Sequence, residues 1–373
     1  MKWSLRLARV SGIDIRVHAT FGFVLLFGAV QYGEYHGPRG AWFGVVFMCC
    51  LFACVALHEL GHSLVAQRLG VRVREIVLLP IGGIARLSGD PKKPLHELLI
   101  ALAGPMVNVL LAALGLVVAL LAFGPRAVLS EAFRDFYQLG PSFTALLSGL
   151  IFANLVLAVF NMVPALPMDG GRVARALMTF VWGRARATQV ASLLGQLLAA
   201  LVFVLAIYGE QIMLALIGGL VFVAAGNERR VSSIRVALGR FTAGEVVSPS
   251  QVVLAPGDAI GTALDRVLQG PETHFAVTQG GELCGIISRA EIVSAAASRG
   301  LSAFVAGSMQ RDVVRVEATL PLVEVQDRVL ECDGRPVAVF NEGTFLGVLT
   351  SDDLWRVGGI VATLGRFGVY RSK

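Results

Sequence analysis

A chain of 373 residues, 55% hydrophobic and 16% charged, is too apolar to be soluble throughout, because soluble domains carry about 25% charged residues. The composition predicts an integral membrane protein with a soluble region at 227–373, where the sequence resembles that of an ordinary soluble domain. The net charge of +6 does not indicate nucleic-acid binding, since much of the excess lies near the ends of apolar segments, where it sets orientation in the membrane.

The apolar segments predict six transmembrane helices. The first and last of these segments are shorter than the roughly 20 residues that a span normally needs. Basic residues are concentrated in alternate loops, so the positive-inside rule places both termini in the cytoplasm. We expect a multi-pass protein of the cell (plasma) membrane, because the chain is compact and shows no transit peptide. The predicted spans are 18–32, 41–66, 97–123, 142–164, 189–208 and 211–226.

A β-hairpin is predicted between the second and third spans, over residues 73–87. Ile76–Leu79 is rich in β-forming residues, Pro80–Gly83 has turn chemistry, and Ile84–Leu87 can form the return strand. The exposed edge of such a hairpin could pair with an extended peptide. The alternative is a plain cytoplasmic turn.

The second span ends in the motif His58-Glu-Leu-Gly-His62. On a helix, residues four apart face the same way, so both imidazoles can bind one zinc ion while Glu59 acts as general base, as in zinc metallopeptidases. An acidic residue at the centre of a span costs about 2.5–3.5 kcal/mol on the insertion scale. The motif therefore indicates a functional site rather than a coincidental pattern.

A catalytic zinc site usually needs a third protein ligand, and Asp169 is the candidate. Pro164 and Pro167 prevent a regular helix just before it. Irregular backbone at membrane depth is tolerated where it lines protein or a cavity. The predicted topology brings this aspartate and the histidine motif to similar depth. Asn161 would help to stabilise the oxyanion, or would cap the broken helix end.

The soluble region contains an internal repeat with a period of about 62 residues: 275–292 matches 337–354. Each unit is predicted to form strand, turn, strand and helix, preceded by a helical stretch at Ile260–Leu268 or Pro321–Glu331. Two such units should pack together and bury a shared face.

These motifs together resemble the site-2 protease family of intramembrane zinc metalloproteases. The tail repeat resembles a pair of CBS domains. The chain as a whole is therefore similar to the branch of the family that carries such a pair. The predicted fold class is therefore an α-helical polytopic membrane protein with a small β-hairpin, followed by an α/β CBS pair. Besides the two motifs above, the segments that carry the resemblance are Gly82-Gly83-Ile84-Ala85 and Ala103-Gly104-Pro105 with Asn108.

The resemblance implies one Zn²⁺ per chain, held by His58, His62 and Asp169, with Glu59 as the catalytic base. It implies cleavage of transmembrane or membrane-associated protein substrates in regulated intramembrane proteolysis. Three residues are assigned, as candidates, to substrate or oxyanion binding: Asn161, Gly82 and Gly83. We expect Asn108 to be structural, with hydrogen bonds near the Gly104–Pro105 kink, and His96 and Glu97 to lie at the membrane interface.

The resemblance to CBS pairs implies regulation by an ATP- or AMP-type nucleotide and a possible homodimer. Thr350 and Asp353 fit the family's nucleotide pattern, whereas Ser288 and Glu291 depart from it. The predicted domains are a protease domain at 1–226, a linker at 227–240, CBS domains at 241–300 and 301–360, and a tail at 361–373.

Three alternatives remain open: a CBS-gated transporter or channel, an inactive protease-like membrane sensor, and a nucleotide sensor with a membrane anchor. A transporter should show duplicated halves, and spans 1–3 do not repeat in spans 4–6. A mere anchor has no need of buried ionisable residues. The expected partners are the protein substrate and membrane lipid.

Overall fold

A computed structural model describes residues 3–80, 82–87, 91, 93–132, 140–247, 253–270, 272–332 and 334–366. The chain divides into two compact units, Met1–Arg229 and Arg230–Lys373. The division falls inside the predicted linker at 227–240. The predicted tail at 361–373 begins within a helix that ends at Arg366, and residues 367–373 lie outside the described part of the chain.

Within the described residues, five helices are long and apolar enough to cross a membrane; four lie in the first unit and the fifth runs from it into the second. Many of their apolar side chains point outward; Leu121 and Ile212 are each 84% exposed, as expected for a surface that faces lipid. The helices are α1 (Phe21–Arg68), α2 (Pro94–Ala132), α3 (Phe143–Asn161), α4 (Asp169–Tyr208) and α5 (Ile212–Leu238).

Helix α1 consists of two arms that meet at Gly37, where φ is 61° and ψ is −150°. The arms fold back on each other: a Cβ added at Gly28 would lie 2.8 Å from the carbonyl oxygen of Gly44, and the rings of Tyr32 and Phe43 are 5.1 Å apart. These arms correspond to the first two predicted spans. The first arm, residues 21–36, is about 24 Å long at 1.5 Å per residue, which is short for a bilayer core of about 30 Å.

Four strands of the first unit form one sheet in the order β1-β2-β3-β4. The predicted hairpin is confirmed as the antiparallel pair β3–β4; Ile81 in its turn lies outside the described residues. Strand β4 is at the edge of the sheet. A second hairpin, β1–β2, was not predicted, and the first helix begins after it rather than at residue 18. The strands are β1 (Ser4–Val10), β2 (Ile13–His18), β3 (Val73–Leu79) and β4 (Gly82–Leu87).

Residues 162–168, between α3 and α4, are not helical, as expected from the two prolines there. This segment packs on the second arm of α4, since the N–H of Leu166 donates to the carbonyl of Ala191 at 3.2 Å. Helix α4 is itself broken at Gly183, where φ is 74°. Its first arm, 169–182, lies outside every predicted span because Asp169, Arg172 and Arg175 interrupt its apolar residues. Asp169 is the first residue of this arm.

The described residues of the second unit form two three-stranded sheets, ordered β5-β6-β7 and β10-β9-β8. Each has one parallel and one antiparallel pair, so the predicted repeat is confirmed. The sheets share an apolar cluster that includes Ala276, Ile286 and Phe340. The elements are α6 (Ala243–Val246), β5 (Val253–Leu254), α7 (Ile260–Gln269), β6 (His274–Gln279), β7 (Glu282–Ser288), α8 (Arg289–Arg299), a 3₁₀ turn (Val305–Gly307), β8 (Val314–Glu317), α9 (Leu322–Glu331), β9 (Val337–Asn341), β10 (Thr344–Leu349) and α10 (Ser351–Arg366).

Candidate metal centre and active site

The structure brings together three buried side chains that the sequence predicts as metal ligands. His58 and His62 lie one turn apart on the second arm of α1, and Asp169 opens α4. The Oδ2 atom of Asp169 is 3.2 Å from Nε2 of His58 and 3.0 Å from Nε2 of His62. The two Nε2 atoms are 3.1 Å apart. All three residues are less than 9% exposed, so their polar atoms face one another rather than bulk solvent.

A backbone carbonyl fixes the orientation of one imidazole. Nδ1 of His62 donates to the carbonyl oxygen of Ile100 on α2 at 2.6 Å, so the neutral ring presents the Nε2 lone pair to the cluster. Asp169 lies at the N-terminus of α4, where the helix dipole favours a negative charge. Arg172 is also near, with Nη1 at 3.7 Å from Oδ1.

The cluster fits a zinc ion. Two imidazole nitrogens and one carboxylate oxygen are a donor set of catalytic zinc sites. Bonds of about 2.0–2.1 Å in tetrahedral geometry separate neighbouring ligand atoms by about 3.3 Å, close to the spacing observed. Gly104 leaves room for the rings: a Cβ there would lie 2.7 Å from Cε1 of His58 and closer still to His62.

Glu59 packs against the edge strand β4. A Cβ added at Gly83 would lie 3.1 Å from its Cδ and 3.3 Å from its Oε1, so only glycine allows this approach. The neighbouring Gly82 has φ of 133°, a conformation that favours glycine. The two glycines therefore have different roles, one in the turn and one in the fit of Glu59.

A cavity of about 520 Å³ opens beside these groups. Its walls are mostly apolar with a few convergent polar groups, as is usual for a ligand-binding site. The cavity is also lined by Leu157, Phe160 and Val221, which the sequence did not single out. The predicted site residues that line it are His58, Glu59, His62, Gly82, Gly83, Asn161 and Asp169.

A buried ionic network, which the sequence analysis did not predict, involves the same arm of α4 as Asp169. Arg175 donates to Glu97 of α2 at 2.7 Å and to Glu228 of α5 at 2.6 Å. Glu97 is only 2% exposed, so it is buried within the protein; its predicted depth at the membrane interface stays a prediction. Its buried charge is compensated by a partner 78 positions away, which no local pattern indicates. The network joins α2 and α5 to the arm of α4 that carries Asp169.

The predicted structural role of Asn108 is wrong. Its side chain is fully buried, yet neither Nδ2 nor Oδ1 has a hydrogen-bond partner among the described residues. The residue lines the cavity instead. One other polar atom of the site, Nδ1 of His58, is likewise buried without a partner in the described part of the chain.

In the second unit, Thr350 and Asp353 form the N-terminal cap of α10. Oδ2 of Asp353 accepts from the hydroxyl and the backbone N–H of Thr350 at 2.7 and 3.1 Å, and Oδ1 accepts from Arg356 at 2.7 Å. Capping alone accounts for these contacts. A nucleotide-binding role for the pair stays a prediction.

A cavity of about 160 Å³ lies beside the first repeat and is lined by Ser288 and Glu291, the pair that departs from the family pattern. His274 and Gln310 also line it. Burial lowers the pKa of His274. Burial raises the pKa of Glu291, but hydrogen bonds from the Ser288 backbone, Gln310 and the Ser288 hydroxyl outweigh it and leave that pKa below its usual value.

Comparison with known proteins assigns the family. Peptidase family M50 matches residues 46–205, and the CBS domain matches 243–298 and 304–354. The zinc metalloprotease MJ0392 of Methanocaldococcus jannaschii is 31% identical, over 97% of this chain and 98% of its own. The solved site-2 protease from Methanocaldococcus jannaschii is 34% identical, with a TM-score of 0.45, over 61% of this chain and 95% of that chain. The chain therefore belongs to peptidase family M50, the site-2 proteases, and is a multi-pass zinc metalloprotease with a pair of CBS domains.

Proposed function

We propose that the protein hydrolyses peptide bonds of transmembrane or membrane-associated substrates in regulated intramembrane proteolysis. In this proposal His58, His62 and Asp169 hold one zinc ion and Glu59 is the general base. The observation that carries it is the mutual spacing of the three ligand atoms, 3.0–3.2 Å, beside a cavity that Glu59 also lines.

Zinc, when bound, polarises the scissile carbonyl and makes a water molecule more acidic. Glu59 takes the proton of the attacking water and returns it to the leaving amide nitrogen, which is general base and then general acid catalysis. Asn161 donates a hydrogen bond to the carbonyl oxygen as negative charge develops there. The apolar walls formed by Leu157 and Phe160 keep bulk water from the bond.

The substrate binds in an extended conformation along β4. This strand is at the sheet edge, and Gly82, Gly83, Ile84 and Ala85 all line the cavity. An edge strand offers unpaired N–H and C=O groups to an incoming peptide. A helical substrate satisfies these groups internally, so it must unwind locally before cleavage.

The CBS pair regulates the protease through an ATP- or AMP-type nucleotide. Thr350 and Asp353 would contact the ribose, while His274 and Arg335 line a nearby polar cavity. CBS pairs also favour homodimer formation. The unequal charge of the loops supports a cell-membrane protein with both termini in the cytoplasm.

The proposed function is tested with purified protein in detergent and a generic single-span substrate. Glu59→Gln should retain zinc but lose about 10²- to 10⁴-fold in cleavage rate. Glu34→Gln is the matched control, because Glu34 is an exposed glutamate on the other arm of the same helix. Chelation should abolish cleavage and added zinc restore it. Equal cleavage by both variants would refute the mechanism.

A further inference from the structure

One face of α2 is built around the metal centre. Ile100, Gly104 and Asn108 follow at intervals of four residues, so they share that face. The first supplies the carbonyl that holds His62, and the second leaves room for both imidazoles. The third lies one turn further along and lines the active-site cavity.

Among the residues that the structure describes, the side chain of Asn108 has no hydrogen-bond partner that accounts for its burial. The side chain is 0% exposed and both polar atoms lack partners among the described residues. Leaving a buried polar group unsatisfied is costly, and such groups in native proteins call for an explanation. Asn154 differs in part: it is also buried and its Oδ1 has no partner among the described residues, but its Nδ2 donates to the carbonyl of Leu150 in its own helix at 2.8 Å.

A free carboxamide is complementary to a peptide group, because it offers N–H donors and a carbonyl acceptor side by side. The edge strand residues Gly82–Ala85 line the same cavity. A peptide that pairs with β4 along one edge would still have backbone groups that the strand does not reach, and the only described wall residue on α2 with a side-chain amide is Asn108.

We propose that Asn108 is a substrate-binding residue, which rests on the proposed protease function. Its Nδ2–H donates to a backbone carbonyl of the substrate next to the scissile bond, and its Oδ1 accepts from a backbone N–H. The substrate is then held between β4 and α2. This role is distinct from that of Asn161, which acts on the scissile carbonyl itself.

A rival role for Asn108 is support of the zinc ligands, since Nδ1 of His58 is also buried without a partner in the described structure. A bound water could connect the two groups. In that case removal of the carboxamide would weaken zinc binding, because outer partners of a ligand typically contribute 10- to 100-fold in metal affinity. Substrate binding and zinc affinity therefore separate the two roles.

The test measures peptide affinity without cleavage. The full chain carries Glu59→Gln, alone and combined with Asn108→Leu, Asn108→Ala or Asn154→Ala. Each is titrated in lipid nanodiscs with a fluorescent Leu/Ala single-span peptide that is broken by a central Gly-Pro pair. Loss of two neutral hydrogen bonds should raise the Kd about 10- to 100-fold for both Asn108 variants. Asn154→Ala should leave the Kd unchanged.

Zinc affinity and thermal unfolding are measured on the same proteins. Asn108→Leu should unfold at the same temperature as its parent or higher, because an apolar group replaces an unsatisfied polar one, and zinc affinity should be unchanged. An unchanged Kd, a loss of zinc affinity, or a lower melting temperature in both Asn108 variants would overturn the inference. Those results do not affect the proposed protease function, whereas failure of the unsubstituted chain to bind zinc or to cleave would refute that function itself.

Discussion

Replacing Gly104 by alanine should disrupt the metal centre. The new Cβ would lie 2.7 Å from Cε1 of His58, where ordinary contact begins at 3.4 Å, and closer still to His62. The rings must therefore move by about 0.7 Å or more, whereas a metal site tolerates about 0.2 Å in its ligand distances. We expect zinc affinity to fall at least about 10- to 100-fold, the range seen for weaker perturbations around ligands, and cleavage to fall with it.

Gly115→Ala is the matched control on the same helix. Its Cβ would lie 2.8 Å from Cγ1 of Ile151, a similar overlap, but with an apolar side chain far along α2 from the imidazoles. Zinc affinity is measured by competition with a coloured chelator, and folding by thermal unfolding. If Gly104→Ala bound zinc as tightly as the parent chain, the account of how α2 accommodates the two histidines would be refuted.

Three further substitutions test separate parts of the structure. Gly83→Ala should displace Glu59 and reduce cleavage about 100-fold, as a misplacement of about 1 Å can do, with zinc content unchanged. Arg175→Met should lower the free energy of unfolding by about 3–5 kcal/mol, because it leaves the buried Glu97 carboxylate with only the more distant Arg184, at 3.8 Å, as a partner; adding Glu97→Gln should restore part of the loss. In the CBS unit, His274→Gln should weaken the dependence of stability on pH. Because the pKa of His274 is lowered on folding, its protonation favours the unfolded chain, so stability is full above about pH 6.5 and falls as pH decreases below it.

Each of these predictions has its own check. For Gly83→Ala, loss of zinc together with activity would contradict a specific effect on Glu59. Arg186→Met, at an exposed arginine on the same helix, controls for Arg175→Met, and strictly additive effects of Arg175→Met and Glu97→Gln would argue against a coupled pair. Hydrogen exchange of β6 between about pH 7 and pH 5.5 reports on His274, a window that lies above the titration of Glu291. An unchanged pH dependence in His274→Gln would refute that assignment.

The metal centre could be predicted because each of its two motifs can be recognised in a short stretch of sequence. His58 and His62 are four residues apart, and Asp169 stands after a proline-broken segment. Helical geometry and the alternation of basic loops then suffice to bring the two motifs to the same side of the membrane. The CBS repeat is predictable for a similar reason, since two copies of one strand-turn-strand-helix pattern stand in order along the chain.

Other features depend on contacts that the sequence does not reveal. The burial of Glu97 depends on Arg175 and Glu228, which are distant in the chain. The lack of a hydrogen-bond partner for the Asn108 amide depends on which residues surround the cavity, and the sequence of its own helix does not reveal it. Thr350 and Asp353 illustrate a different limit, because the same Thr-x-x-Asp pattern serves both a helix cap and a nucleotide site. The β1–β2 hairpin was open to prediction, since Leu5 and Leu7 alternate with polar residues before the Ser-Gly turn.

The most direct test of the account is X-ray absorption at the zinc edge on the purified full chain. Ligation by two imidazoles and a carboxylate predicts scattering from nitrogen and oxygen at about 2.0–2.2 Å and none from sulfur. Asp169→Ala should lose one oxygen and bind zinc more weakly. Cys54 stands one turn before His58 on the same face of α1, so a sulfur shell at about 2.3 Å, or a spectrum unchanged by Asp169→Ala, would contradict the assignment of the three ligands.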